Sequence, residues 1–124
     1  MLHLFSVAAG GAAGALARYW VSAFLVNNAQ FRLPYGTMLC NVLGSFLMGI
    51  FFVLIMEKAR ISPELRPILM VGFLGAFTTF STFSLEAVTM LQEGHIMSAA
   101  IYILMSVVLC MVALYSGLWF TRLF

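Results

Sequence analysis

Four long apolar stretches dominate this chain and leave it few ways to fold in water. They cover roughly residues 4–26, 36–56, 67–92 and 97–120, each near the ~20 residues that carry a helix across a bilayer core. Of the 124 residues, 64% are hydrophobic and only 8% are charged, too few to clothe a soluble domain of this size. The expectation is an all-α integral membrane protein, one domain over residues 1–124 with four transmembrane helices. The connections are short: a polar one at 27–34, a charge-rich one at 57–67 and a tight turn at 92–95. The first stretch is too long and too rich in Gly and Ala to read as a cleaved leader.

The charged and reactive residues exclude several classes of function. A net charge of +2 gives no hold on nucleic acid. Lys58, Arg60, Arg66 and Arg122 would share one side of the membrane, against Arg32 and Arg18 on the other. That bias is small, so insertion in both orientations is open. Four short helices barely enclose a pathway, and an oligomer is expected. Cys40 and Cys110 fall inside apolar stretches and read as reduced, buried side chains. His3 and His95 sit at a terminus and a turn, which gives a metal cluster little support. The chain has no Asp, so no Ser-His-Asp arrangement exists and no enzyme is expected.

Residues 72–86, G-F-L-G-A-F-T-T-F-S-T-F-S-L-E, depart from what lipid prefers. Polar atoms at membrane depth need partners, so this segment should face protein, water or a solute. Gly72 and Gly75 weaken a helix and Thr78-Thr79 follow, which predicts a break near 75–79. Carbonyls freed at such a break can hold a small cation. Beyond it, Phe80 and Phe83 share one face, and Thr79, Thr82 and Glu86 share another. Ring edges carry positive potential, so the two phenylalanines with the hydroxyls of Thr79, Ser81 and Thr82 could replace part of an anion's hydration shell.

The other stretches carry matching stripes. Thr37, Asn41 and Ser45 recur every four residues in the second, and Ser98, Tyr102, Ser106 and Cys110 in the fourth. In the first, Gly10, Gly14 and Arg18 lie on one face. The glycines allow close helix approach, and Arg18 has three open roles: a bond to helix-end carbonyls, a brace between helices, or positive potential in a vestibule.

Three segments together resemble the Fluc/CrcB family of small bacterial fluoride channels: G-G-A-A-G-A-L-A-R-Y at 10–19, G-T-M-L-C-N-V-L-G-S-F at 36–46 and G-F-L-G-A-F-T-T-F-S-T-F-S at 72–84. The resemblance implies an antiparallel, dual-topology homodimer in the bacterial inner membrane, with two pores that passively export fluoride. It makes Phe80, Phe83 and Asn41 pore residues. It maps Thr37, Glu86, Tyr102 and Ser106 to a polar track, with Cys110 where some relatives carry a hydroxyl. It also implies a structural sodium ion held by the carbonyls of Gly75 and Thr78. The physics of the stripes is compatible: closely spaced neutral donors bind an anion firmly enough for entry without trapping it. The alternative is a small four-span proton-coupled multidrug transporter, for which Glu86 is the sole candidate carboxylate. Against a purely structural role, Phe80→Ile or Asn41→Asp is expected to leave assembly intact and abolish transport.

Overall fold

Helix α1 runs unbroken over Leu2–Asn28, 27 residues and about 40 Å at 1.5 Å per residue. The structure, a computed structural model, describes residues 1–28 and 33–124, and among these no strand occurs. Arg32, and with it half of the expected polar connection at 27–34, lies outside the described residues. Helix α2 (Tyr35–Phe52) continues into a π-helical turn, Val53–Glu57. A short 3₁₀ turn, Pro63–Leu65, opens the next element, with the Ser62 hydroxyl accepting from the Glu64 N–H at 3.3 Å. Helix α3 occupies residues 67–77 as a π-helical stretch, Pro67–Leu74, and one α-helical turn, Gly75–Phe77. Helices α4 (Phe80–Gln92) and α5 (Ile96–Arg122) complete the chain. Among the described residues, three helical segments are long and apolar enough to cross a membrane: Tyr35–Glu57, Pro63–Gln92 and Ile96–Arg122.

Glycines set how closely the helices approach. α1 packs along α3, and α2 along α5. A Cβ on Gly10 would strike the Ile68 carbonyl, and one on Gly14 the Phe73 carbonyl. Gly72 answers from α3, where a Cβ would lie 2.8 Å from the Val7 carbonyl. On the other side Gly49 and Gly117 let the backbones of α2 and α5 meet directly. Small residues do this work in membranes because lipid offers no hydrophobic drive to associate, and backbone contact maximises dispersion.

The α4–α5 turn closes with the hydrogen bonds of a glycine-terminated helix. Gly94, at φ 85°, donates to the Leu91 carbonyl at 3.1 Å, and His95 donates to Met90 at 2.9 Å. At the opposite end Arg122 pairs with Glu57 at 2.7 Å and Lys58 donates to the Arg122 carbonyl at 3.2 Å. The charge-rich connection is thereby tied to the end of α5. The core between α2, α4 and α5 is small and dense: Met38, Phe83, Ala87, Met90, Ala99 and Tyr102.

Candidate functional site

The third apolar stretch breaks at Thr78 and Thr79, the far end of the expected window. Thr78 has φ −87°, ψ 158° and Thr79 φ −154°, ψ 122°, both extended, while Gly75 remains helical at φ −61°, ψ −36°. The glycines weaken the helix without ending it, and Gly72 is required by the approach of α1. What holds the break open is a side chain from α2. Asn41 Oδ1 accepts from the Thr79 N–H at 2.7 Å, and Asn41 Nδ2 donates to the Thr79 carbonyl at 3.1 Å. The amide thus pairs with an extended residue as a neighbouring strand would, satisfying both backbone groups that leave the helix. Gly44, one turn further along α2, makes room, since a Cβ there would strike the Thr78 methyl.

Other side chains finish both ends of the break. The Thr79 hydroxyl accepts from the Thr82 N–H at 3.2 Å and so caps α4. Thr78 Oγ1 donates back to the Leu74 carbonyl at 2.9 Å. Arg18 Nε donates to the Ala76 carbonyl at 3.0 Å. Of the three roles open to Arg18, the geometry joins two: the bond meets a helix-end carbonyl, where the dipole favours a cation, and braces α1 against α3. With the Thr79 N–H engaged by Asn41, the Gly75 carbonyl has lost the donor that a continuous helix would supply.

Beside the break lies a cleft of about 280 Å³. Asn41 and Ser45 of α2, Thr78 and Thr79 of the break, Phe80 and Phe83 of α4, and Ser106 and Cys110 of α5 form its wall, with Val107 and Met111. Three helices therefore bring their polar stripes to one space. Ser106 is 5% exposed and its hydroxyl has no hydrogen-bond partner, a rare condition for a buried polar atom. Phe80 is 77% exposed and Phe83 is buried, their ring centroids 5.6 Å apart.

Phe83 also packs on Tyr102, at 5.1 Å between centroids and 56° between planes. Tyr102, fully buried, donates its hydroxyl to Glu86 Oε1 at 3.2 Å, and the buried Thr37 faces both side chains. Thr37, Glu86 and Tyr102 thus form a second polar cluster, with Phe83 touching both it and the cleft.

Not every candidate gathers here. Ser81 is exposed and lies 3.4 Å from the Thr79 hydroxyl at the helix cap, and Thr82 serves that cap through its backbone. Ser98 lies near His95 at the α4–α5 turn. Gly10 and Gly14 pack α1 on α3. Conversely, the Thr78 side chain, Val107 and Met111 wall the cleft without having been marked in the sequence. The sequence pattern assigns Thr78 to the break and its carbonyl rather than to a stripe, and nothing distinguishes Val107 or Met111 from lipid-facing neighbours. Both cysteines are free, and among the described residues no three His, Cys, Asp or Glu cluster as metal ligands.

A bundle of apolar helices, one broken beside a cleft walled by neutral donors and phenylalanines, defines a multi-pass membrane protein. Comparison with known proteins gives the family. The model of the family described as CrcB-like protein, Camphor Resistance (CrcB), matches residues 5–118, and the chain belongs to that family. A protein of Hahella chejuensis (strain KCTC 2396) named Fluoride-specific ion channel FluC is 52% identical over 121 residues, 98% of this chain and 95% of the relative. One of the same name from Rhizobium meliloti (strain 1021) is 45% identical over 122 residues, 98% of both chains. A third, from Methylococcus capsulatus (strain ATCC 33009 / NCIMB 11132 / Bath), is 50% identical over 116 residues, and the chain spans 51% of its length.

Proposed function

We propose that the chain conducts fluoride passively across a bacterial inner membrane, through the cleft beside the break. The observation that carries this reading is the Ser106 hydroxyl, buried and unpartnered in a wall shared with Asn41, Phe80 and Phe83. An unpaired buried hydroxyl costs about 1–3 kcal/mol, which a small anion in the cleft would offset by accepting from it. Asn41 adds its remaining amide hydrogen, and the phenylalanines offer ring edges. None of these groups is charged, so binding stays weak enough for release. A membrane negative inside would drive the anion outward by about 2.3 kcal/mol per 100 mV. The relatives' printed name supports fluoride as the anion.

The reading includes four spans, α1 being the fourth, and an antiparallel homodimer with one pore from each cleft. The exposed Phe80 ring and the exposed Gly75 at the break support a second copy covering this side. The carbonyls of Gly75 and Thr78 suit a hard cation, which takes oxygen ligands, so a sodium ion would sit where the break frees them. Its charge would neutralise oxygens that otherwise lack donors. Exchange of all sodium for N-methylglucamine is expected to lower efflux and dimer stability, and indifference of both counts against the ion.

Proteoliposomes loaded with potassium fluoride test the main reading directly. After valinomycin, an ion-selective electrode should record rapid fluoride loss, while chloride-loaded vesicles lose almost none. Intact, folded protein that releases no fluoride sinks the proposal and directs attention to proton-coupled transport through Glu86.

A further inference from the structure

The two thiols of this chain occupy opposite surroundings. Cys40 is 0% exposed, enclosed near Arg18 and Ser22, where no small molecule reaches it in the folded chain. Cys110 is half-buried and lines the cleft against the Ser45 hydroxyl, one turn along α5 from Ser106. Ser106, 5% exposed, lines the same cleft, and its enclosed hydroxyl has no hydrogen-bond partner, a second sign that this wall meets a group other than the protein's own. A thiol on such a wall adds a reactivity that a hydroxyl lacks, because its ionised form attacks sulfur.

We propose that Cys110 is a thiol-modification site within the cleft, taking small disulfides or thiosulfonates, and that the adduct closes the pathway. This rests on the channel reading and adds regulation at the same place. The chemistry balances without another reagent. The thiol gives its proton to water, and the thiolate attacks one sulfur of the incoming S–S bond. A new S–S bond forms at Cys110 as the old one breaks, and the leaving thiolate or sulfinate carries away the electron pair. The attached group then lies over Ser45 and one turn from Ser106. A donor at that position is replaced by an apolar group, and the space an anion would pass is filled.

Fluoride-loaded proteoliposomes treated with methyl methanethiosulfonate decide the matter, with efflux read by electrode and adducts located by mass spectrometry. Each protein is compared with its own untreated rate. The wild-type chain is expected to carry the adduct at Cys110, lose most of its efflux and recover it with dithiothreitol. Cys40→Ser should keep this sensitivity, and Cys110→Ser should lose it. Unchanged efflux from protein fully modified at Cys110 overturns the proposal, as does a preference of the reagent for Cys40 or equal inhibition of Cys110→Ser. A preparation with no fluoride efflux before treatment fails the channel reading instead, and the adduct's position then still decides whether this thiol opens to the cleft.

Discussion

The break at Thr79 and the cleft wall at Ser106 both place polar groups at membrane depth, and they treat them in opposite ways. At Thr79 the N–H and the carbonyl each have a partner on Asn41, and the hydroxyl caps α4. At Ser106 the hydroxyl has none. A satisfied buried group is explained by the fold, because its partners are there to complete the backbone. An unsatisfied one is not, and its desolvation has to be offset by something that enters. The contrast separates residues that make the pathway's shape from those that meet the ion.

The largest expected effect breaks the first region. Asn41→Ala strands both the N–H and the carbonyl of Thr79, at about 1–3 kcal/mol for each unpaired group. Fluoride efflux should disappear and the thermal midpoint of the purified protein should drop with it. Asn41→Asp breaks the same pairing in part. The carboxylate keeps an acceptor for the Thr79 N–H but turns its other oxygen on the Thr79 carbonyl. Phe80→Ile touches neither Asn41–Thr79 bond, so its effect on efflux is read apart from the break.

A smaller effect tests the second region. Ser106→Ala removes a hydroxyl that bonds to nothing in the protein, so the thermal midpoint should hold or rise slightly. Efflux should fall about tenfold, the equivalent of ~1.4 kcal/mol lost from the ion's passage. A fall in stability without a fall in efflux would reverse the assignment of Ser106.

Much of this arrangement was legible in the sequence, and the exceptions share a cause. Apolar lengths gave the helices at 36–56, 67–92 and 97–120, because hydropathy is a local property. The four-residue spacing of Tyr102, Ser106 and Cys110 placed them on one face of α5, because helix periodicity is local too. Ser98 obeys the same spacing yet lies at the α4–α5 turn, since spacing fixes a face and not a depth. Gly72, Gly75 and the Thr78-Thr79 pair confine the break to 75–79, whereas its place within that window is set by Asn41 from 38 residues away. Arg18 likewise meets the Ala76 carbonyl across 58 residues, a partner that spacing within α1 does not reveal.

The finest test uses Tyr102, which belongs to both categories. Its hydroxyl lies on the same stripe as that of Ser106, but it is paired, donating to Glu86 at 3.2 Å. Tyr102→Phe keeps the buried ring on Phe83 and removes the hydroxyl, with its bond to Glu86 and its contact with Thr37, a change of about 0.5–1.5 kcal/mol in stability. If pairing decides a residue's role, efflux should stay within roughly threefold of wild type, well under the ~1.4 kcal/mol that a tenfold change represents. A loss as large as that of Ser106→Ala would mean that the Tyr102 hydroxyl releases Glu86 and meets the ion in transit. Position along the stripe, rather than the presence of a partner, would then identify the residues that conduct.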